Sequence, residues 1–162
     1  FEPGETTTSQ QHNWILFRYA EILLNYAEAM VNAYGDPDYT GSYSLSARDA
    51  VNQVRNRGDV KMPAYPTDMK KDAFLKRLRN ERRVEFAFEG QRFFDVRRWM
   101  IAPTTESKTM HGIEITRATD GTKTWKEFDV RTHVWRPAMY FFPIPYNETV
   151  KSKDLLQNPY YN

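Results

Sequence analysis

The amino-acid sequence predicts a mainly α-helical fold with a small β-hairpin region and a long extended C-terminal tail. Through much of the first part of the chain, apolar residues recur at steps of three and four, which is typical of amphipathic helices. Between residues 112 and 130 the pattern alternates instead, and Asp120-Gly121 supplies a hairpin turn. The final segment, Trp135 to Asn162, contains four prolines, which interrupt helices. At 162 residues, the default expectation is one domain.

The first predicted element is a helix from Trp14 to Tyr34. Its apolar face consists of residues three or four positions apart, namely Tyr19, Leu23, Tyr26, Met30 and Tyr34. Gly35 stands where a left-handed C-cap belongs, and Pro37 prevents the helix from continuing.

A second, shorter helix is predicted between Ser46 and Gly58. Ser46, followed three residues later by Asp49, resembles a capping box. Residues 14–58 are therefore predicted to form a helical hairpin of the tetratricopeptide-like kind. Because one hairpin cannot bury its own apolar face, it needs neighbouring helices, as the units of repeat proteins do.

Residues 68–100 predict a buried and highly charged helix pair. The third helix is expected from Asp68 to Glu89, with Gly90 as its breaker, and a short helix follows from Gln91 to Met100. If this segment is helical, the apolar side chains between Val84 and Phe88 point in directions that cover most of the helix circumference. A helix that is apolar nearly all round is buried rather than lying on a surface.

Glutamates recur every four residues in this segment with arginines among them, so some charges must enter the interior. Buried charge is tolerated only when it is paired and hydrogen-bonded. We therefore predict a structural ion network of Glu81, Arg82, Glu85, Glu89, Arg92, Asp95 and Arg98, in which the residues beyond Gly90 fold back as partners. The alternative, a catalytic pair of Glu85 and Glu89, is disfavoured because flanking arginines would keep both carboxylates ionised.

Residues 104–162 are predicted to form a hairpin and an extended tail. The strands are expected at Gly112 to Arg117 and at Thr124 to Val130, and the tail should be extended apart from a turn near Asn147.

Aromatic residues make up 15% of a chain whose mean hydropathy is −0.76. Sugars present flat apolar C–H faces on which an exposed indole or phenol ring can stack. The candidate ligand-binding residues are therefore Trp125, which lies in a polar stretch of sequence, Trp135 and Tyr140. The competing interpretation is structural, since most Trp side chains are largely buried.

Composition excludes several other classes of function. The net charge of +2 argues against nucleic acid as a partner, and the absence of cysteine removes disulfides, thiolate metal sites and cysteine nucleophiles. The three histidines are scattered, so no metal site and no cofactor is predicted. Asp36 and Asp38 begin a calcium-loop pattern, but Ala47 stands where the bidentate glutamate belongs, and a turn explains the pattern better.

Five segments of the chain, in order, resemble signature segments of the SusD/RagB family. The longest, NERRVEFAFEGQRFFDVRRW, runs from Asn80 to Trp99. The others are FRYAEILLNYAEAM (Phe17 to Met30), AVNQVRNRG (Ala50 to Gly58), FFPIPYNE (Phe141 to Glu148) and the terminal LLQNPYYN. Residues 104–135 carry no distinctive match.

This resemblance implies a SusD-like fold and the C-terminal portion of a longer, non-enzymatic protein. Such a protein binds glycans or other oligomeric nutrients at the cell surface and passes them to a SusC-like TonB-dependent outer-membrane transporter. It would be a surface-exposed lipoprotein whose lipid anchor lies outside this chain, and the rest of the longer chain would pack against these residues. The alternative is a helical-repeat adaptor that binds a protein partner.

Overall fold

The computed structural model describes residues 15–58, 60–106, 108–152 and 154–161 of the chain. It confirms a mainly helical fold with one two-stranded antiparallel sheet. The chain divides into two compact units, Phe1–Ala87 and Phe88–Asn162. Within the residues described, no helix is both long enough and apolar enough to cross a bilayer.

Among its described residues, the first unit contains three helices: α1 (Tyr19–Tyr34), α2 (Ala47–Arg55) and α3 (Lys71–Glu85). Helix α1 packs against both α2 and α3. The predicted C-cap is confirmed, because Gly35 adopts φ +77° and its N–H donates to the carbonyl of Val31. The capping box at the start of α2 is also confirmed, with Ser46 and Asp49 satisfying each other's backbone N–H groups.

A continuous apolar core joins the three helices of the first unit. Leu24, Val31, Val51 and Phe74 are completely buried, and Leu78 is nearly so. Tyr65, from the loop between α2 and α3, enters the same core, where its ring meets Phe74 edge-on at 5.6 Å. The helical hairpin therefore buries the middle of its apolar face, including Leu23 and Met30, against this core. Tyr19 and Tyr34, at the two ends of the predicted face, are 70% and 44% exposed.

Helix α3 is shorter than predicted, ending at Glu85 rather than at Glu89. Phe86 leaves the helical conformation, and Phe88 and Gly90 both have positive φ, so the chain turns there. Phe88 is consequently fully exposed, because the sequence pattern extended the helical periodicity past the point where the helix stops. Val84, still within α3, is 67% exposed, although the sequence pattern had placed it inside as well.

Helix α1 also begins later than predicted. Arg18 is extended, and its guanidinium reaches Glu85, so the helix starts at Tyr19. Trp14, the predicted start, lies outside the described residues.

The second unit begins with α4 (Gln91–Arg98) and the short α5 (Ala102–Thr105), and continues into β1 (Thr109–Arg117) and β2 (Lys123–Thr132). A 3-10 helix, Pro137–Tyr140, and α6 (Tyr146–Lys151) interrupt the extended tail. Two hydrogen bonds join the two ends of the tail around α6. The Gln157 side-chain amide accepts from the backbone N–H of Ile144 and donates to the backbone carbonyl of Ile144.

The β-hairpin confirms the prediction and extends it by several residues at the open end. Gly121 has φ +87° in the turn, and its N–H donates to the carbonyl of Ala118. Gly112 lies directly opposite Phe128, and a Cβ at Gly112 would come within 2.7 Å of that ring. The missing side chain at Gly112 therefore leaves room for the Phe128 ring to lie over β1.

Candidate functional site

An open cleft of about 670 Å³ lies within the second unit. Helix α4 supplies one side of it, and the end of β2 with the following chain supplies the other. Its principal lining residues are Arg92, Phe93, Val96, Arg97, Arg131 and Trp135. Val96 is buried at the base of α4, while Phe93 and Arg97 lie one turn apart on the same helix face.

Two of the predicted ligand-binding residues meet beside this cleft. Trp135 lines it, and Tyr140 packs edge-on against the indole with ring centroids 5.1 Å apart. The Arg97 guanidinium lies 3.5 Å from the centroid of the Phe93 ring and 5.0 Å from that of Trp135. The cleft thus presents aromatic rings together with a cation that is held against them.

Backbone carbonyls fix the position of Arg97. Its Nη1 donates to the carbonyl of Phe93 at 2.7 Å, and its Nε donates to the carbonyl of Met139 at 3.1 Å. Burial lowers the pKa of Arg97, while Glu106 and Tyr161 act in the opposite direction. A partly buried cation that is hydrogen-bonded to neutral carbonyls is stabilised by an anionic group that enters the cleft.

Two buried N–H donors in this cleft have no hydrogen-bond partner in the part of the chain that the structure describes. They are the Nε of Arg92 and the indole Nε1 of Trp135. A buried donor left in this state costs about 1–3 kcal/mol. An acceptor oxygen supplied by a ligand would remove that cost.

The charges lining the cleft are mostly positive. Arg92, Arg97 and Arg131 stand against one carboxylate, that of Glu106, which accepts from Arg92 Nη2 at 3.1 Å. His133 also lines the cleft, and its backbone N–H donates to the carbonyl of Lys108.

The third predicted aromatic, Trp125, lies elsewhere in the second unit. It stands on β2 opposite Ile115, and the two side chains are 76% and 66% exposed. On the same face of β1, Ile113 is 65% exposed. The hairpin therefore offers an exposed apolar strip, separate from the lining of the cleft.

Two glutamates of the predicted ion network, Glu81 and Glu85, take arginine partners from distant parts of the first unit. Arg55 Nη1 donates to Glu81 Oε2 at 2.5 Å, and both side chains are at least 86% buried. Glu85 Oε1 accepts from Arg18 at 2.9 Å and from Arg57 at 2.5 Å. Glu81 and Glu85 are thus paired with arginines from other helices and loops of the first unit.

The remaining members of the predicted network are distributed differently. Buried Arg82 donates to Asn25 Oδ1 at 2.6 Å and lies over the Phe86 ring. Asp95 accepts from Arg98 at 2.8 Å on the same turn of α4, and Glu89 is exposed.

The electrostatics of Glu85 bear on the catalytic alternative. Burial raises the pKa of this carboxyl, but hydrogen bonds from Arg57 and Arg18 outweigh burial, so the net pKa is below its ordinary value. A general acid requires the opposite shift. The geometry around Glu85 therefore favours a structural role.

The end of α1 and the loop that follows it hold an aromatic cluster that was not predicted from the sequence. Tyr34 stacks on Tyr39 with ring centroids 4.1 Å apart, and Tyr43 lies 6.2 Å from Tyr34. Hydrogen bonding with Tyr43 raises the pKa of Tyr34. The signal that could have found the cluster is three tyrosines within ten residues of a turn-rich segment.

Beside the tyrosine cluster, the two aspartates of the calcium-like pattern have protein partners. Arg48, which is buried, donates to Asp38 Oδ1 at 2.6 Å and to Oδ2 at 2.9 Å, and this lowers the pKa of Asp38. Asp36 accepts the backbone N–H of Asp38. Across the described residues, no group of three or more histidine or carboxylate side chains is arranged to hold a metal ion.

Comparison with known proteins decides the family. The model of the SusD family matches residues 2–161, almost the entire chain. The chain belongs to the SusD family. The prediction made from five sequence segments is thereby confirmed.

Solved SusD-like structures also share the fold. A SusD-like protein from Bacteroides fragilis NCTC 9343 superposes with a TM-score of 0.75 and 40% identity, over 92% of this chain and 26% of its own. A second solved structure superposes with a TM-score of 0.71 and 32% identity, over 96% of this chain and 25% of its own.

Among curated proteins, the SusD-like protein P2 of Formosa agariphila is 27% identical over 160 residues. That alignment covers 96% of this chain and 27% of the relative. The chain therefore spans about a quarter of the length of these SusD-like relatives.

The SusD-like segments fall on defined parts of the structure. Two of them lie on α1 and α2, and the longest ends in α4, whose residues form one side of the cleft. The other side, from Arg131 to Trp135, comes from the region without a distinctive match. The cleft thus combines a SusD-like helix with a segment that the family resemblance did not cover.

Proposed function

We propose that this chain serves in the non-enzymatic binding of glycans or other oligomeric nutrients at the cell surface. The observation that carries the proposal is the match to the SusD family over residues 2–161. Family membership favours this role over that of a helical-repeat adaptor.

The cleft of the second unit is the site that we assign to this binding. Trp135 and Phe93 supply aromatic surface for the apolar face of a sugar ring. The buried Nε of Arg92 and Nε1 of Trp135 would supply N–H donors for sugar oxygens once the lining side chains shift to uncover them. Stacking and hydrogen bonding of this kind bind a ligand without breaking any bond in it.

The proposal extends to the setting in which the chain works. We infer that it acts at the outer membrane as part of a surface-exposed lipoprotein, with the lipid anchor outside these residues. The partner would be a SusC-like TonB-dependent transporter, and the rest of the longer chain would pack against the apolar side chains that this chain exposes. No cofactor and no nucleic acid has a part in this proposal.

Glycan binding by the intact protein tests the proposal. Isothermal titration calorimetry against a panel of plant, host and algal oligosaccharides should find at least one ligand. The number of reducing ends of that oligosaccharide should stay constant on prolonged incubation with the protein, because no glycosidic bond is cleaved.

A matched pair of variants then locates the site. Trp135→Ala should weaken binding at least ~10-fold, since stacking and a hydrogen bond are both lost. Tyr160→Ala, which removes an exposed tail aromatic, should leave affinity unchanged.

Two results would overturn the proposal. One is the absence of binding to every member of the panel by a protein that is folded by circular dichroism. The other is hydrolysis of a bound glycan that Glu85→Gln abolishes, because that result would revive the catalytic alternative.

A further inference from the structure

We propose that the cleft between α4 and Trp135 selects an acidic oligosaccharide, one whose sugar rings carry carboxylate or sulfate groups. This inference rests on the proposed function, because it names the ligand class for the same site. It is drawn from the charge, the unpartnered donors and the fixed arginine of the cleft.

The charge of the lining is the first step. Three guanidinium groups, of Arg92, Arg97 and Arg131, line the cleft against the single carboxylate of Glu106. In a binding site for neutral sugars, carboxylates and amides commonly accept hydrogen bonds from hydroxyl groups. Here the lining side chains are mostly donors, so the complementary ligand is rich in acceptor oxygens.

The unpartnered donors are the second step. The Nε of Arg92 and the Nε1 of Trp135 are buried without a hydrogen-bond partner in the part of the chain that the structure describes. Both groups can only donate. Because both atoms are buried, a ligand reaches them only when the lining side chains shift to uncover them. An oxyanion then satisfies such donors better than a hydroxyl group does, because a hydrogen bond to a charged acceptor is about twice as strong as a neutral one.

The preorganisation of Arg97 is the third step. Hydrogen bonds from its Nε and Nη1 to two backbone carbonyls hold its planar guanidinium beside the rings of Phe93 and Trp135. Because the side chain is already ordered, binding an anion costs little further conformational entropy. A sugar ring stacked on the indole would bring its acidic substituent within reach of this guanidinium.

Matched pairs of oligosaccharides test the inference on the intact protein. The first pair is trigalacturonate and its carboxyl-reduced form, trigalactose; the second is a sulfated neutral trisaccharide and its desulfated form. At least one acidic member should bind at least ~10-fold more tightly than its neutral counterpart, as expected for one charge-assisted hydrogen-bonding contact. That advantage should shrink as salt is raised. The two pairs distinguish a carboxylate from a sulfate as the group recognised.

Conservative variants locate the selectivity. Arg97→Lys keeps the charge but loses the planar fork, and it should remove most of the preference for the acidic member. Trp135→Phe keeps a stacking surface but removes the unpartnered N–H, and it should reduce that preference ~3-fold or more. Arg117→Lys, on the exposed part of β1, is the matched control and should change nothing. Trp125→Phe should likewise leave the preference for the acidic member intact.

The outcomes separate this inference from the proposed function. If neutral members bind as tightly as both acidic members, the inference is wrong and the proposed function stands. If no glycan binds, the proposed function fails and the inference fails with it. If the acid preference survives both Arg97→Lys and Trp135→Phe, the cleft is not the site that reads the charge. Should Arg97→Lys fail to fold, Trp135→Phe alone decides.

Discussion

The two units of this chain treat their apolar and charged side chains in opposite ways. In the first unit, α1, α2 and α3 enclose a continuous core, and the buried arginines Arg48, Arg55 and Arg82 each lie over an aromatic ring of that core. In the second unit, the described residues with buried side chains are few, while Trp125, Phe142 and Leu156 are at least 69% exposed.

The first unit has the features of a scaffold, since its charges are paired inside and its helices are capped. The second unit places aromatic rings and cations along an open cleft, which is what a recognition surface requires.

The strongest test compares two leucines. Leu24 is completely buried in α1, whereas Leu156 in the tail is 82% exposed. Leu24→Ala should lower the free energy of unfolding by about 4 kcal/mol, through lost burial and the cavity left behind. Leu156→Ala should lower it by less than about 0.5 kcal/mol. Urea denaturation measures both, and similar losses would contradict the contrast between the units.

The next test compares two ion pairs. Glu81→Gln leaves the buried guanidinium of Arg55 without its carboxylate and should cost about 3 kcal/mol. Glu148→Gln breaks the exposed pair with Lys151 in the second unit and should cost less than about 0.5 kcal/mol. Hydrogen exchange should show that Glu81→Gln speeds opening of α2 and α3 and leaves the hairpin amides unchanged. Equal losses of unfolding free energy in the two variants would mean that the buried Glu81–Arg55 pair does not stabilise the first unit.

A smaller effect is expected from pH. The pKa of Glu85 is below its ordinary value of 4.5 because Arg57 and Arg18 donate to the carboxylate. Its contribution to stability is therefore complete above the unfolded-state pKa and is lost as pH falls through the lower folded-state pKa. Urea midpoints between pH 6 and pH 2.5 should fall less steeply in Glu85→Gln than in the wild-type protein.

The control for this titration is Arg57→Gln, which removes the more exposed of the two cations. It should reduce the slope partially, because Arg18 still donates to Glu85 at 2.9 Å. Identical slopes in all three proteins would show that Glu85 does not couple folding to protonation.

The smallest expected effect concerns the hairpin. Trp125→Ala removes a side chain that is 76% exposed, so the free energy of unfolding should change by less than about 0.5 kcal/mol. If the variant instead lost several kcal/mol in the intact protein, Trp125 would be a packing residue, and the hairpin would belong with the scaffold.

How far the sequence could predict this structure depends on the range of the interaction concerned. Helix ends marked by Gly35 and by Ser46 with Asp49 were predictable, because capping involves residues within four positions of each other. The turn at Asp120-Gly121 was predictable for the same reason. The end of α3 was not, since nothing local identifies Phe86 as the residue that leaves the helix.

The family, the main helices, the hairpin and the need to pair the glutamates of α3 all follow from the amino-acid sequence. The arginines that pair with these glutamates do not, because Arg18 and Arg57 are 67 and 28 residues from Glu85. The contacts of Trp135 with Arg97 and Tyr140, and of Tyr34 at the end of α1 with Tyr39 and Tyr43, likewise depend on the folded chain. Periodicity and capping are set by neighbours along the chain, whereas a binding cleft is set by residues that meet only after the chain has folded.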